Sequence, residues 1–466
     1  MNLNDTIVAI STPAGSGAIA VIRMSGAGCV PFLESRFSSR SGKSPVVPGR
    51  VMLGYISEGD EVIDEVLVTW FKGPHSYTGD DVAEISCHGS VYIQNRLLQV
   101  AIASGIRLAE PGEFTFRAFM NGRMDLAQAE GVADLIASAT GYQHRFALKQ
   151  MRGGISGKLK ELRGKLVNFA SLLELELDFS QEDVEFADRG ELISLLETIA
   201  SELQRLSDTF RQGNALKQGI PVTIAGRPNS GKSTLLNALL QEERAIVSEI
   251  PGTTRDAIED TLVISGIPFR FIDTAGLRAE PEIIEAMGIE KTWEKISQAA
   301  IILYVFDTSE STIDAVKEEL AELSLKMKEV MSEEELAGKK VIIVGNKIDR
   351  LMEFPHHFRD CMELEVVFIS AKRHENMQLL TDALLHNTDT SLLQEELVIT
   401  SLRHYEALQA ALKAISDAHT AMIHNLPADL VATDIRETLY HIGLITGEIS
   451  TDELLGNIFG RFCIGK

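Results

Sequence analysis

The sequence predicts a multidomain protein of the α/β plus α class. Three observations point to it. The first 120 residues are rich in short β-branched runs. A phosphate-loop motif sits between a buried strand and a helix near the middle of the chain. Helical periodicity flanks that region on both sides.

Taken in order, residues 1–120 carry strand-like runs at 6–10, 18–23 and 62–70, bounded by Gly, Pro and Ser, with loops at 11–17 and 72–75. From 121 the pattern becomes helical. Leu126, Ala129, Val132, Ala133 and Ile136 recur at i, i+3, i+4 spacing, and so do Leu162, Leu166, Phe169, Leu173 and Leu177. A third such run holds Leu192, Leu196, Ile199, Leu203 and Leu206, and Gln212-Gly213-Asn214 reads as its end. Residues 218–385 alternate strands and helices, with apolar strands at 221–225, 261–264, 269–272, 301–306, 341–344 and 366–369. Continuous apolar strands between helices predict a sheet covered on both faces. Helical spacing returns with Leu402, Leu408, Leu412 and Ile415. The expected organisation is therefore an N-terminal α+β domain (1–120), a discontinuous helical domain (121–217 and 386–466), and an α/β domain inserted into it (218–385).

Composition bounds the class. At 466 residues, with 45% hydrophobic and 24% charged residues, the chain has ordinary globular content. No apolar run reaches the roughly 18 residues of a membrane span. Residues 1–20 contain Asp5 and no Lys or Arg, which fits neither a secretory signal nor a transit peptide. Cys29, Cys87, Cys361 and Cys463 are scattered, so neither a disulfide framework nor a CxxC metal site is expected, and a reducing cytoplasm is the simplest setting. A formal net charge of −23 argues against loose, non-specific nucleic-acid binding. One window is locally basic: Arg145, Lys149, Arg152, Lys158, Lys160, Arg163 and Lys165 are accompanied only by Glu161. It reads either as a solvated helix face or as a basic surface.

The motif at Gly226-Arg227-Pro228-Asn229-Ser230-Gly231-Lys232-Ser233 fits G-x-x-x-x-G-K-[ST]. Its glycines let backbone N–H groups close around phosphates, the Lys adds charge to them, and the Ser hydroxyl suits Mg²⁺. Asp273-Thr274-Ala275-Gly276 follows a strand, where the Asp suits a Mg²⁺-bound water and the Gly N–H a γ-phosphate. Asn346-Lys347-Ile348-Asp349 follows another strand. Its Asp can accept both donors on guanine's N1 and amino group, which adenine does not offer. Ser370-Ala371-Lys372 closes the last strand, where backbone N–H groups can meet the guanine oxygen.

These four motifs in this order resemble the G-domain family of GTPases, which implies an inserted Ras-like P-loop G domain that takes GTP. Two departures matter. Leu277 stands where a water-orienting Gln is usual, and no Arg occupies an obvious cis arginine-finger position. Such a finger is worth roughly 10³–10⁵ in rate, or about 4–7 kcal/mol. Residues 245–256, which include Ser248-Glu249-Ile250-Pro251-Gly252-Thr253-Thr254, resemble the switch I loop of the potassium-activated TrmE-Era-EngA-like G proteins, in which a K⁺ ion replaces the finger. Asn229 is either a structural P-loop residue or, beside that loop, a K⁺ ligand.

The two ends of the chain extend the likeness. The terminal Phe462-Cys463-Ile464-Gly465-Lys466 is similar to the C-terminal signature of the MnmE (TrmE) family of bacterial tRNA-modification GTPases. Ile22-Arg23-Met24-Ser25-Gly26, Gly79-Asp80-Asp81-Val82-Ala83-Glu84, Pro111-Gly112-Glu113-Phe114-Thr115-Phe116-Arg117 and Asn121-Gly122-Arg123-Met124-Asp125 are similar to its N-terminal domain. The resemblance implies a homodimer joined through a tetrahydrofolate-binding N-terminal domain. It also implies a heterotetramer with the flavoprotein MnmG, tRNA as substrate, and no membrane. By position, Ser233 and Thr254 would meet Mg²⁺, and Asn229 with oxygens of Ser248, Ile250 and Thr253 would hold K⁺. GTP would be bound by 229–234, 248–254, Asp273, Thr274, Ala275, Gly276, Asn346, Lys347, Asp349, Ser370, Ala371 and Lys372. Glu285 would position the attacking water, although spacing alone reads it as an exposed helix charge. Arg23, Glu84, Arg123 and Lys466 match folate contacts, for a formyl- or methylene-tetrahydrofolate. The family often has Lys at the position of Arg123. Cys463 is either a small buried hydrophobe or a thiol beside a one-carbon carrier. A ribosome-assembly switch like Era or Der would need an RNA-binding domain or a second P-loop, and there is no second P-loop. A GTP-gated scaffold without chemistry of its own is the remaining reading.

Overall fold

Period-two alternation builds the N-terminal part of the computed structural model, which describes residues 3–40, 46–178, 189–243, 260–272, 296–351, 366–388, 397–460, 462 and 464–465. The strands and helices in order are β1 (Ile7–Ile10), β2 (Ile19–Ser25), α1 (Cys29–Arg36), β3 (Phe37–Ser39), β4 (Val51–Glu58), β5 (Glu61–Phe71), β6 (Val82–His88), α2 (Val91–Ala103), β7 (Arg107–Leu108) and α3 (Glu113–Met120). The strands form one sheet ordered β3-β4-β5-β6-β2-β1-β7, antiparallel except for the β1–β7 pair. One face carries Ile22, Met24, Val66, Val68, Ala83 and Ile85 into a core closed by Phe32, Leu33, Leu97 and Val100 of α1 and α2. On the opposite face Ile7 and Ala9 are buried with Phe114 of α3, whereas Ile19, Leu53 and Leu67 are exposed, and Arg23 and Glu84 share this face.

Sequence patterning finds β1, β2 and β5 and misses β4 and β6. β6 alternates only from Ala83 onward, since Val82 and Ala83 are both buried. β4 is interrupted by Gly54, which a close approach demands: a Cβ there would lie 2.2 Å from the Ser38 carbonyl oxygen.

The helical segments are α4 (Leu126–Ala137), α5 (Gly141–Met151), α6 (Gly154–Asp178), α7 (Arg189–Asp208) and α8 (Phe210–Gln218). Gln212-Gly213-Asn214 does not end the helical region, because α8 runs through it to Gln218. Gly213 serves packing instead: a Cβ would meet the Ile399 carbonyl oxygen at 2.4 Å. The basic window is largely neutralised. Lys160 pairs with Asp125 (3.3 Å), Arg163 with Glu448 (2.8 Å), Lys165 with Glu161 (2.8 Å), and Lys158 with Glu161 and Glu202 (both 3.5 Å). This favours the solvated helix face over a nucleic-acid surface.

The alternating region gives β8 (Ile220–Ala225), α9 (Lys232–Glu243), β9 (Asp260–Ile264), β10 (Ile267–Phe271), β11 (Ile301–Asp307), α10 (Ile313–Val330), α11 (Glu333–Ala337), β12 (Lys340–Asn346), β13 (Val366–Phe368) and α12 (Met377–His386). Its sheet is ordered β13-β12-β11-β8-β10-β9, parallel except for the β9–β10 hairpin. Every residue of β11 is buried, as expected of a central strand covered on both faces. Leu235, Leu239 and Leu380 cover one face, and Val316 and Met327 the other. The chain ends with α13 (Leu402–Ile423), α14 (Ala428–Thr446) and α15 (Asp452–Phe459). Among the described residues no helix is long and apolar enough to cross a membrane. The chain divides into two units, Met1–Ala137 with Ala147–Leu203 and Glu406–Lys466, and Ser138–Phe146 with Gln204–Tyr405.

In the first unit, β7 and α3 are fastened to the start of β1 by an ion cluster. Arg107 bonds Asp5 (2.7 Å) and Glu113 (2.6 Å), and Arg117 bonds Asp5 (2.5 Å) and Glu113 (3.0 Å). The Glu113 and Arg117 side chains are fully buried. The guanidiniums of Arg107 and Arg117 hold Asp5 below the usual carboxylate range despite its desolvation. Burial pushes Glu113 up, but Arg107, the Glu110 N–H and Arg117 outweigh it, so Glu113 also lies low. Both carboxyls thus titrate below their unfolded values near 4. Their stabilisation is present above about pH 4 and is lost as pH falls below it. Glu113→Gln should lower the stability of the first unit by about 3–5 kcal/mol at pH 7, with a smaller penalty at pH 3. Thermal unfolding of both forms at the two pH values checks this.

Candidate functional site

The C-terminal ends of β8, β11 and β12 place the chemistry, as they do in open parallel sheets. After β8, Gly226 has φ 139°, and a Cβ there would lie 2.0 Å from the Val305 carbonyl oxygen. Gly231 has φ 94°, and its Cβ would lie 2.3 Å from Asn346 Nδ2. Only glycine fits either place, so the phosphate loop can pack against β11 and the β12 loop. Lys232 opens α9, and its Nζ donates to the carbonyls of Gly226 and Arg227, both at 2.8 Å. Burial lowers its pKa. Ser233 and Thr234 follow, exposed, in the first helical turn.

Asn346 joins the phosphate loop to the loop at 346–349. Its Nδ2 donates to the Ser230 carbonyl (3.0 Å), and its Oδ1 accepts the N–H groups of Lys347 (2.8 Å) and Ala371 (3.1 Å). Lys347 Nζ donates to the Asn229 carbonyl and to Asp307 Oδ2, each at 2.6 Å. Asp349 Oδ1 accepts from the Ser370 hydroxyl at 2.7 Å. That bond, aided by the charges of Arg373 and Lys372, holds Asp349 low and ionised, so it is acceptor-only, as guanine's paired N–H donors require. Lys372 is exposed beside it.

The structure thus brings together Asn229, Ser230, Gly231, Lys232, Asn346, Lys347, Asp349, Ser370 and Ala371. Residues 248–254, 273–276, Leu277, Glu285, Cys463 and Lys466 lie outside the described residues. Sequence reasoning missed Asp307, which closes β11 at the same edge. The available signal was a carboxylate ending an otherwise apolar strand. It also missed Glu319 of α10, which ion-pairs with Arg227 of the phosphate loop and accepts from Tyr304.

A second cluster lies on the open face of the first sheet. Arg23 and Glu84 are register partners, with Arg23 Nη2 at 2.8 Å and Nε at 2.9 Å from Glu84 Oε1. They therefore form one paired device on the sheet. The Arg23 guanidinium also lies 5.5 Å from the Tyr77 ring centre and 5.9 Å from that of Phe114. The Gly465 carbonyl accepts from Ser11 Oγ (3.1 Å) and Arg23 Nη1 (3.4 Å). Gly465 has φ 95°, and a Cβ would sit 2.3 Å from the Ile10 carbonyl oxygen. The chain's end is thereby seated beside this pair. Arg123 is exposed, next to Asn121, which donates to the Thr78 carbonyl at 2.8 Å.

A phosphate loop locked to an Asn-Lys-x-Asp loop on this sheet defines a guanine-nucleotide-binding protein of the G-domain class. Comparison with known proteins narrows it. Residues 126–463 match the family model described as MnmE helical domain, and residues 6–123 the model described as GTP-binding protein TrmE N-terminus. The chain is 50% identical over 469 residues to the tRNA modification GTPase MnmE of Flavobacterium psychrophilum, covering all of both chains. It is 48% identical over 478 residues to that of Christiangramia forsetii, again covering all of both. It is 46% identical over 475 residues to that of Bacteroides fragilis strain YCH46, covering 99% of each. The chain belongs to the MnmE family of tRNA modification GTPases.

If Asp349 reads the base, Asp349→Asn should lower GTP affinity on the order of a hundredfold, since a charge-assisted pair is worth about 1.5–3 kcal/mol. Xanthosine triphosphate, whose edge offers an acceptor, should bind the variant better than GTP does. Nucleotide titration measures both, and unchanged GTP affinity would exclude the role.

Proposed function

We propose that this chain is a K⁺-activated GTP hydrolase acting with the flavoprotein MnmG. Together they add an aminomethyl-type (carboxymethylaminomethyl) group to the wobble uridine of tRNAs. The observation that carries the GTP reading is the Asn346 bridge, which holds a phosphate cradle and an ionised base-reading Asp349 in one piece.

In this reading Lys232 binds the β- and γ-phosphates, and Asp349, beside the Ser370-Ala371-Lys372 loop, binds guanine. Ser233 and Thr254 hold Mg²⁺. Asn229, with oxygens of Ser248, Ile250 and Thr253, holds K⁺. An all-oxygen set suits hard cations, and the exposed Asn229 side chain makes no hydrogen bond among the described residues. Bound there, the K⁺ supplies the positive charge an arginine finger would give. Glu285 orients the attacking water through a second water, the task Leu277 cannot perform. Hydrolysis accompanies association of two G domains across a homodimer, and the exposed Ile19, Leu53 and Leu67 on the open sheet face support a dimer through the N-terminal domain.

The same face would take the folate. Glu84, held by Arg23, offers a carboxylate to the amide and amino edge of a pterin, and half-buried Tyr77 lines the approach. Arg123, Lys466 and Cys463 complete the proposed pocket. The folate would supply the one-carbon unit, and GTP hydrolysis would time its transfer.

The test is mass spectrometry of tRNA nucleosides from a deletion strain carrying Glu285→Ala, whose folding and GTP binding are confirmed. The modified wobble uridine should vanish, as in the deletion itself. Full modification would leave only the reading in which the chain is a GTP-gated scaffold.

A further inference from the structure

Asp307 lies at the end of β11, 5% exposed, on no phosphate- or base-reading motif. Its carboxylate is nevertheless fully engaged. Oδ1 accepts the Ser309 N–H (2.9 Å) and hydroxyl (2.6 Å), and Oδ2 accepts Lys347 Nζ (2.6 Å). Burial pushes Asp307 up, but Lys347 and Ser309 more than offset this and keep it ionised. Lys347 is thus clamped with a second donor directed at the Asn229 carbonyl, also at 2.6 Å.

That carbonyl belongs to a residue under constraint. Asn229 has φ 63°, in the left-handed region that a non-glycine residue enters only when its surroundings hold it there. Lys347, at φ 68°, is in the same region. The next carbonyl, of Ser230, is held by Asn346. Two successive phosphate-loop carbonyls are therefore held by two successive residues of the base-reading loop, and Asp307 anchors the first of these ties from beneath. The Asn229 side chain leaves from that held backbone.

We infer that Asp307 is a positioning residue for the monovalent-cation site: through Lys347 it fixes the backbone of Asn229, and so aims the Asn229 side-chain oxygen at the ion. The inference rests on the proposed K⁺ reading. It assigns to a residue outside every nucleotide motif a part in cation affinity, and it makes the base-reading loop a supporting layer of the ion site. Outer groups that orient a metal ligand commonly change affinity by about 10–100-fold when removed.

Asp307→Asn keeps the shape and the acceptor for Ser309 and removes the charge that clamps Lys347. The probe is K⁺ itself, read without turnover, as the concentration giving half of the K⁺-dependent rise in Tm of the full-length protein bound to Mg²⁺, GDP and aluminium fluoride, at constant ionic strength with Na⁺. The midpoint should rise about tenfold in Asp307→Asn, while GDP affinity in Na⁺ changes less than about threefold. Asp307→Glu should recover part of the shift. In Asn229→Ala, where the aimed oxygen is gone, adding Asp307→Asn should shift the midpoint no further, because the two changes act on one ligand. An unchanged midpoint in Asp307→Asn, with a wild-type protein that does respond to K⁺, would overturn the inference and leave the K⁺ reading standing. A wild-type Tm indifferent to K⁺ over Na⁺ would overturn both. An equal loss of GDP affinity and K⁺ response would show Asp307 to be a general support of the nucleotide site, and would also overturn it. If Asp307→Asn unfolds, Ser309→Ala, which loosens the same carboxylate, must raise the midpoint for the inference to survive.

Discussion

The second unit depends on one side-chain amide. Asn346 spends its donor on the phosphate loop and its acceptor on the N–H groups of Lys347 and Ala371. It is 2% exposed, so each of these bonds is made where water cannot substitute, and an unmade partner there costs about 1–3 kcal/mol. The arrangement needs Gly231, because a side chain at that position would occupy the place of the amide. It needs Gly226 for the same reason against β11. Glycines in this loop thus serve packing between strands as much as the approach of phosphate. With the amide in place, the phosphate loop and the 346–349 loop are held as one piece, and Lys347 adds a second tie at the Asn229 carbonyl.

The first unit has an analogous seam built from charge. Asp5, Arg107, Glu113 and Arg117 join β1, β7 and α3, and α3 places Phe114 beneath Arg23. Arg23 in turn is shared between Glu84 and the carbonyl of Gly465 near the end of the chain. Gly112, whose Cβ would meet the Phe459 carbonyl oxygen at 2.5 Å, lets α15 pack against the start of α3. The C-terminal segment is therefore part of the same construction as the first strands, separated from them by almost the whole sequence.

Much of this was legible beforehand because the signals were local. Six apolar strands, two of them joined as the β9–β10 hairpin, identified the sheet of the second unit. Four short motifs named the nucleotide, since each requires particular atoms at particular backbone positions. What stayed hidden was either relational or masked by compensation. Asp307 carries no motif, and its meaning comes from Lys347, forty residues later in the chain. Arg23 and Glu84 were both singled out, but only strand register shows that they bond each other. The Gln212-Gly213-Asn214 stretch looks like a helix end because glycine is a poor helix former, and close packing on Ile399 is a reason the local pattern does not contain. The basic window reads in sequence as either a solvated face or a basic surface, and the sequence alone does not decide, because its acidic partners Asp125, Glu202 and Glu448 lie outside it.

The claim that phosphate cradle and base pocket form a single rigid site is tested most directly by Asn346→Asp. This change keeps the acceptor for Lys347 and Ala371 and sets a carboxylate against the Ser230 carbonyl. Titration with a fluorescent GDP should show affinity reduced about tenfold to a hundredfold, from a loss of roughly 1–3 kcal/mol, with the first unit's thermal transition unmoved. GDP binding as tight as in the unaltered protein would mean that the two halves of the site are positioned independently, and would contradict the account.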